Sequence, residues 1–175
     1  YELAKQQYAK LGVDTEKAMQ LLEKFSISLH CWQGDDVGGF EKANAELSGG
    51  GIQTTGNFPG KARTITELRQ DIAKALSLIP GNHRVNIHAI YGEFGGQTVD
   101  RDQIEYKHFE GWVEWAKKHG IKLDFNCSLF SHPKADAGFT LSSKNSEIRD
   151  FGIKHVEKCR IISEQIGKAL GSPCI

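Results

Sequence analysis

The chain has 175 residues, four cysteines, and 22 basic side chains against 22 acidic ones. That length suits one hydrophobic core rather than two full domains. With no net charge and no dense basic run, there is no field to draw a phosphate backbone or an anionic bilayer, so neither nucleic acid nor membrane is expected as a partner. Cys31, Cys127, Cys159 and Cys174 contain no Cys-x-x-Cys pair, which removes the zinc-ribbon and thioredoxin readings and fits reduced thiols in a cytoplasmic protein. No apolar run reaches the roughly 18 residues of a membrane span, and Glu2-Leu-Ala-Lys-Gln-Gln7 is too polar for a signal peptide.

In chain order, Glu2 to Leu11 reads as a short helix stopped by Gly12, and Asp14 caps a second helix with Ala18, Leu21, Leu22 and Phe25 at helical spacing. A first strand follows in Ile27-Ser-Leu-His30, running into Cys31-Trp-Gln-Gly-Asp-Asp36. Residues 34–61 carry Gly34, Gly38, Gly39, Gly49, Gly50, Gly51, Gly56 and Gly60, a density expected of a long loop that binds or closes. Thr64-x-x-Glu67 is a capping box ahead of Leu68, Ile72, Ala75, Leu76 and Ile79. The second strand is Val85-Asn-Ile-His-Ala-Ile-Tyr91. A helix over 102–119 precedes Gly120, and the third strand is Lys122-Leu-Asp-Phe-Asn126. A last helix, about 145–170, places Ile148, Phe151, His155, Cys159, Ile162, Ile166 and Leu170 at spacings of three and four, with Gly171 beyond it.

Alternating strands and helices of this kind imply parallel crossovers. A flavodoxin-like open sheet and the first half of a (β/α)8 barrel share this grammar. Three features favour the barrel: no Gly-x-Gly-x-x-Gly at the first turn, long polar loops after the strands, and an end in mid-repeat. Residues 1–26 are thus expected to be a helical lead-in, and 27–175 the first three βα units of a (β/α)8 TIM-type barrel, stopping as a fourth strand begins at Ser172-Pro-Cys-Ile175. Tyr1 lies inside a helical pattern already, so both ends are expected to be cut.

Polar side chains collect at the strand ends. His30 reads either as a hydrogen-bonded core histidine or as a site residue, and Trp32 either packs in the core or offers its face to a sugar. Asp35-Asp36 reads as a turn cap, with Gln33 and Asp35 as orienting groups. Asn86 and His88 share one face of an otherwise buried strand, where a neutral imidazole can take and return a hydroxyl proton. Asp124, Asn126 and Ser128 alternate opposite Phe125 and Cys127, and His132 is held extended by Pro133. At most Asp35, Asp36 and Asp124 are available to a hard cation, too few for a tight site.

Taken together, His30-Cys-Trp-Gln-Gly-Asp-Asp36, Gly51-Ile-Gln53, Gly56-Asn-Phe-Pro-Gly-Lys-Ala62, Leu78-Ile-Pro-Gly81, Asn86-x-His-Ala-Ile-Tyr91, Trp112-Val-Glu-Trp-Ala116, Leu123-Asp-Phe-Asn126 and Phe130-Ser-His-Pro133 closely resemble the N-terminal part of the L-rhamnose isomerase family. That resemblance implies a (β/α)8 aldose–ketose isomerase interconverting L-rhamnose and L-rhamnulose with a divalent metal, typically Mn2+, bound by later strands that this segment lacks. It further implies a homotetramer, a catalytic His88 that assists ring opening, and Trp32, Phe125 and Asn126 on the sugar side, with the Gly49–Gly60 loop helping to close a site; His132, at the turn after the third strand, is a further candidate sugar contact on its position alone. Because Phe125 and Asn126 alternate, a regular strand cannot turn both inward. The segment alone is expected to be inactive. Two alternatives remain: a xylose-isomerase-like barrel nuclease or epimerase using His30, His88 and His132 as metal ligands, and a non-catalytic flavodoxin-like binding module.

Overall fold

A computed structural model describes residues 1–35, 37–41 and 61–174; Asp36, most of the glycine-rich loop and Ile175 lie outside the described residues, and so do the expectations placed on them. Among the described residues, eight helices and strands follow in order: helices α1 (Glu2–Lys10) and α2 (Thr15–Leu22), strand β1 (Ile27–His30), α3 (Ile65–Leu78), β2 (His83–His88), α4 (Glu110–His119), β3 (Lys122–Asn126) and α5 (Ser146–Leu170).

The three strands form one parallel sheet in the order β1-β2-β3. His30 pairs with Asn86 across the first junction, and His88 with Asn126 across the second. A flavodoxin-like order would place β1 in the middle. Here β2 is central, which removes that alternative.

Strand alternation then divides the sheet. Leu29, Val85, Ile87, Leu123 and Phe125 occupy one face; the last four are buried with Leu68 and Ile72 of α3, Trp112, Val113 and Ala116 of α4, and Cys159, Ile162, Ile166 and Leu170 of α5. The opposite face carries Ser28, His30, Arg84, Asn86, His88, Lys122, Asp124 and Asn126. An open doubly wound sheet buries apolar residues on both faces, whereas helices on one side and polar groups on the other match part of a barrel wall. Among the described residues three such strands are present.

Local chemistry explains the boundaries. The Asn145 carboxamide accepts the Glu147 N–H at the start of α5, and Gly120 and Gly171 take left-handed φ values of 66° and 59° to end α4 and α5. Thr64 caps α3 as predicted, but the Glu67 carboxylate reaches back to the Arg63 N–H, one residue before the box position. The helix expected from 102 begins only at Glu110, because Tyr106–Phe109 forms a 3-10 turn closed by reciprocal Glu105 and His108 contacts. Leu21 and Leu22 fall on α2 as their spacing placed them, but the helix ends at Leu22 and Phe25 lies beyond it; α1 and α2 bury no residue, and all three side chains are exposed. The expected fourth strand is not formed in 172–174; instead Arg84 donates to the Ser172 hydroxyl and the Pro173 carbonyl. No described helix is long and apolar enough to cross a membrane.

Trp112 anchors the helix layer. Its ring is fully buried, its indole N–H donates to the Tyr91 carbonyl at 2.8 Å, and the Arg69 guanidinium lies 4.5 Å from the ring centre. Buried Trp carries both a large apolar area and a donor that must be satisfied.

Candidate active site at the strand C-terminal rim

β1 stops at His30, and a 3-10 turn over Cys31–Gly34 follows it directly. Strand alternation therefore does not place Trp32; the turn does. Its ring lies nearly parallel to those of His30, at 4.6 Å and 20°, and His88, at 4.7 Å and 21°. Phe130, in the segment after β3, meets His88 edge-on with centroids 6.2 Å apart.

His88 ends β2 and is only 5% exposed. Both its ring nitrogens are buried without a hydrogen-bond partner among the described residues. Burial, and next the neighbouring His30, push its pKa down to about 4, against the opposing influence of the Cys127 backbone beside the ring. The imidazole is thus neutral near pH 7, with one donor and one acceptor unused. Leaving two such atoms dry is costly unless a ligand or water takes them.

Asn126 closes the rim on β3, its amide Nδ2 donating to Asn86 Oδ1 at 2.9 Å. One layer deeper, Asp124 accepts from Ser28 Oγ at 2.6 Å and from Arg84 Nε and Nη2 at 2.9 and 2.6 Å. That network fills the polar face beneath the site.

The other expected residues stand elsewhere. Phe125 lies on the helix side, 4% exposed, edge-on to Phe109 at 4.8 Å; pleating turns it away from Asn126, and no bulge re-aims it. His132 stacks on Phe151 at 4.9 Å, with Nε2 3.1 Å from Asp100 and Nδ1 accepting the Lys134 N–H. Ser128 falls beyond the end of β3, and its N–H donates to His155 Nε2. Asp35 accepts the Tyr91 hydroxyl and the Gly39 N–H, each at 2.6 Å, and burial raises its pKa. It ties the loop after β1 to the turn after β2. Sequence reasoning assigned no role to Arg101, Glu41 or Phe130; His155 stood in an apolar stripe, where a histidine was the one available signal.

Divalent metals need several converging donors. Among the described residues no group of three or more His, Cys, Asp or Glu side chains can hold one, and the carboxylates of Asp35 and Asp124 are already bonded to protein partners. The described residues therefore do not fit a metal. With His132 tied to Asp100 and Phe151, the three-histidine alternative lacks its ligand set.

A parallel three-stranded βα wall with a flat aromatic, a neutral buried imidazole and a carboxamide on its C-terminal rim defines an α/β protein, compatible with part of a barrel, whose candidate site lies outside the strand ends, as in other parallel α/β folds. The L-rhamnose isomerase (RhaA) family model matches residues 1–175, and the chain belongs to that family. It is 57% identical over all 175 residues to L-rhamnose isomerase of Bacteroides thetaiotaomicron, 57% to that of Mannheimia succiniciproducens and 54% to that of Rhodopirellula baltica. In each case the whole chain aligns with 40–41% of the relative, so it spans about two fifths of their length.

Proposed function

We propose that these residues are the N-terminal portion of a metal-dependent aldose–ketose isomerase that interconverts L-rhamnose and L-rhamnulose. The family assignment supports the reaction, and one observation carries the site: the buried, neutral His88 has both ring nitrogens unused beside Trp32.

In this reading the apolar C–H face of the pyranose lies on exposed parts of the Trp32–His30 platform. His88 accepts a sugar hydroxyl proton at one nitrogen and donates to the ring oxygen from the other, so the ring opens without a standing imidazolium. Its depressed pKa favours such a neutral relay over a full positive charge. Asn126, held by Asn86, offers its remaining amide groups to hydroxyls. Phe125 supports the rim from behind the sheet, and His132 shapes the loop rather than touching sugar. The divalent ion, Mn2+ in this proposal, would be held by protein outside the described residues, and the 175-residue segment by itself would be inactive. A cytoplasmic homotetramer completes the proposal; four free thiols suit a reducing compartment.

The test is conversion of L-rhamnose by the full-length protein after metal removal and Mn2+ addition. Activity should return with the ion, and His88→Asn should lower kcat roughly 100-fold, the usual scale for a lost proton-transfer group. No conversion by the folded, metal-loaded wild type overturns the reading.

A further inference from the structure

We propose that Arg101 is a positioning residue of this site, a buried clasp that gathers the segments following all three strands and thereby sets Phe130 against His88; this rests on the functional reading above. Arg101 is 2% exposed. Its Nη1 donates to the carbonyls of Ser128 and Phe130, and its Nη2 to that of Ser131 at 2.9 Å. Nε and Nη2 also hold the two carboxylate oxygens of Glu41, each at 3.0 Å. Glu41 belongs to the segment after β1, Arg101 to that after β2, and residues 128–131 to that after β3.

The backbone of Arg101 is secured as well. Its carbonyl accepts from His155 Nδ1 at 2.8 Å, while His155 Nε2 accepts the Ser128 N–H at 2.9 Å. Only the neutral Nδ1–H tautomer satisfies both contacts. Residues 128–131 lie in no helix or strand, so their buried polar groups must find partners elsewhere, and this pair supplies four of them. Ser131 has φ = 51°, a left-handed conformation that a residue with a Cβ adopts only when its surroundings impose it. Phe130, immediately before it, presents its ring edge to His88. A planar guanidinium fork can span three carbonyls and a carboxylate, whereas the compact ammonium of lysine cannot.

The experiment uses the full-length enzyme as wild type, Arg101→Lys, Phe130→Ala and the double variant, with kcat/KM for L-rhamnose and peptide-level hydrogen exchange over 128–131. Arg101→Lys should lower kcat/KM roughly 10- to 100-fold, the scale of a lost charge-assisted hydrogen bond. In the Phe130→Ala background the same change should cost less than about 3-fold, because the two residues act as one unit. Ser131→Gly, which relaxes the left-handed backbone, should recover part of the loss. Exchange over 128–131 should rise at least about 10-fold while β2 amides keep their protection.

A folded Arg101→Lys enzyme with unchanged kcat/KM, or losses that multiply independently with Phe130→Ala, overturns the proposal. If Arg101→Lys does not fold, Glu41→Gln loosens the same fork from its outer end and should give a smaller loss, again absorbed by Phe130→Ala; a folded Glu41→Gln enzyme at wild-type kcat/KM overturns it equally. An inactive wild type refutes the functional reading alone, and the exchange data then decide on the clasp without reference to turnover.

Discussion

Trp32 lies nearly flat against His88, centroids 4.7 Å apart and planes 21° from parallel, although the two come from different strand ends. One aromatic face thereby bounds the nitrogen atoms that the protein leaves unused. In the proposed function, binding and proton handling would share that wall.

Replacing Trp32 should therefore affect substrate binding more than fold. Trp32 is only partly buried, and an aromatic contact contributes about 0.5–1.5 kcal/mol beyond burial. Trp32→Ala should raise KM for L-rhamnose roughly 3- to 10-fold, with Trp32→Phe closer to wild type. Steady-state kinetics on the full-length enzyme check this; an unchanged KM removes Trp32 from the site.

His88 also makes stability depend on pH. An unfolded imidazole titrates near 6.5, the folded one near 4, so between these values the unfolded state binds more protons and stability rises with pH. The contribution is complete above about pH 6.5 and disappears as pH falls through about 4. Because burial also lowers His108, His132 and His155, wild type must be compared with His88→Gln. The difference between their melting temperatures should be constant above pH 7 and should shift against wild type between pH 6.5 and 4.5. A pH-independent difference contradicts the depressed pKa.

Asp124 and Arg84 test the polar layer below the rim. Asp124 is 6% exposed and holds both Arg84 and Ser28. Asp124→Ala leaves a largely buried cation without its main partner and should cost about 3 kcal/mol in urea unfolding. Replacing both residues, as Arg84→Met with Asp124→Leu, should restore more than half of that loss. Equal or greater loss in the double variant would show that the pair is not the source of the effect.

Much of this arrangement was legible in alternation and caps. Asn86 and His88 stand out because a buried strand rarely admits two polar residues on one face, and Asn145 and Gly171 mark α5 through local chemistry alone. The rest depends on nonlocal geometry. β1 ends before Trp32, so the correct grouping with His88 arose through a turn that alternation does not describe. Arg101 lies in Asp100-Arg-Asp102, a run that reads as solvated charge until the loops it bonds are seen together. Ala18, Leu21 and Leu22 on α2 have the right period, but periodicity specifies neither where the helix ends, which is before Phe25, nor what covers its face.

Phe125 separates support from contact. Edge-on to Phe109 and buried behind the sheet, it should cost about 3 kcal/mol of stability as Phe125→Ala. The milder Phe125→Leu should leave KM for L-rhamnose within about 2-fold of wild type, well below the roughly 10-fold change that each 1.4 kcal/mol of lost contact produces. A selective rise in KM without loss of stability would return Phe125 to the sugar side.

The most direct measurement is a crystal structure of the full-length protein with L-rhamnose bound. The sugar should rest against Trp32, with its ring oxygen or an adjacent hydroxyl within hydrogen-bond distance of a His88 ring nitrogen and another hydroxyl on Asn126. Sugar bound away from this rim, or His88 with both nitrogens bonded to protein while sugar is present, would contradict the account.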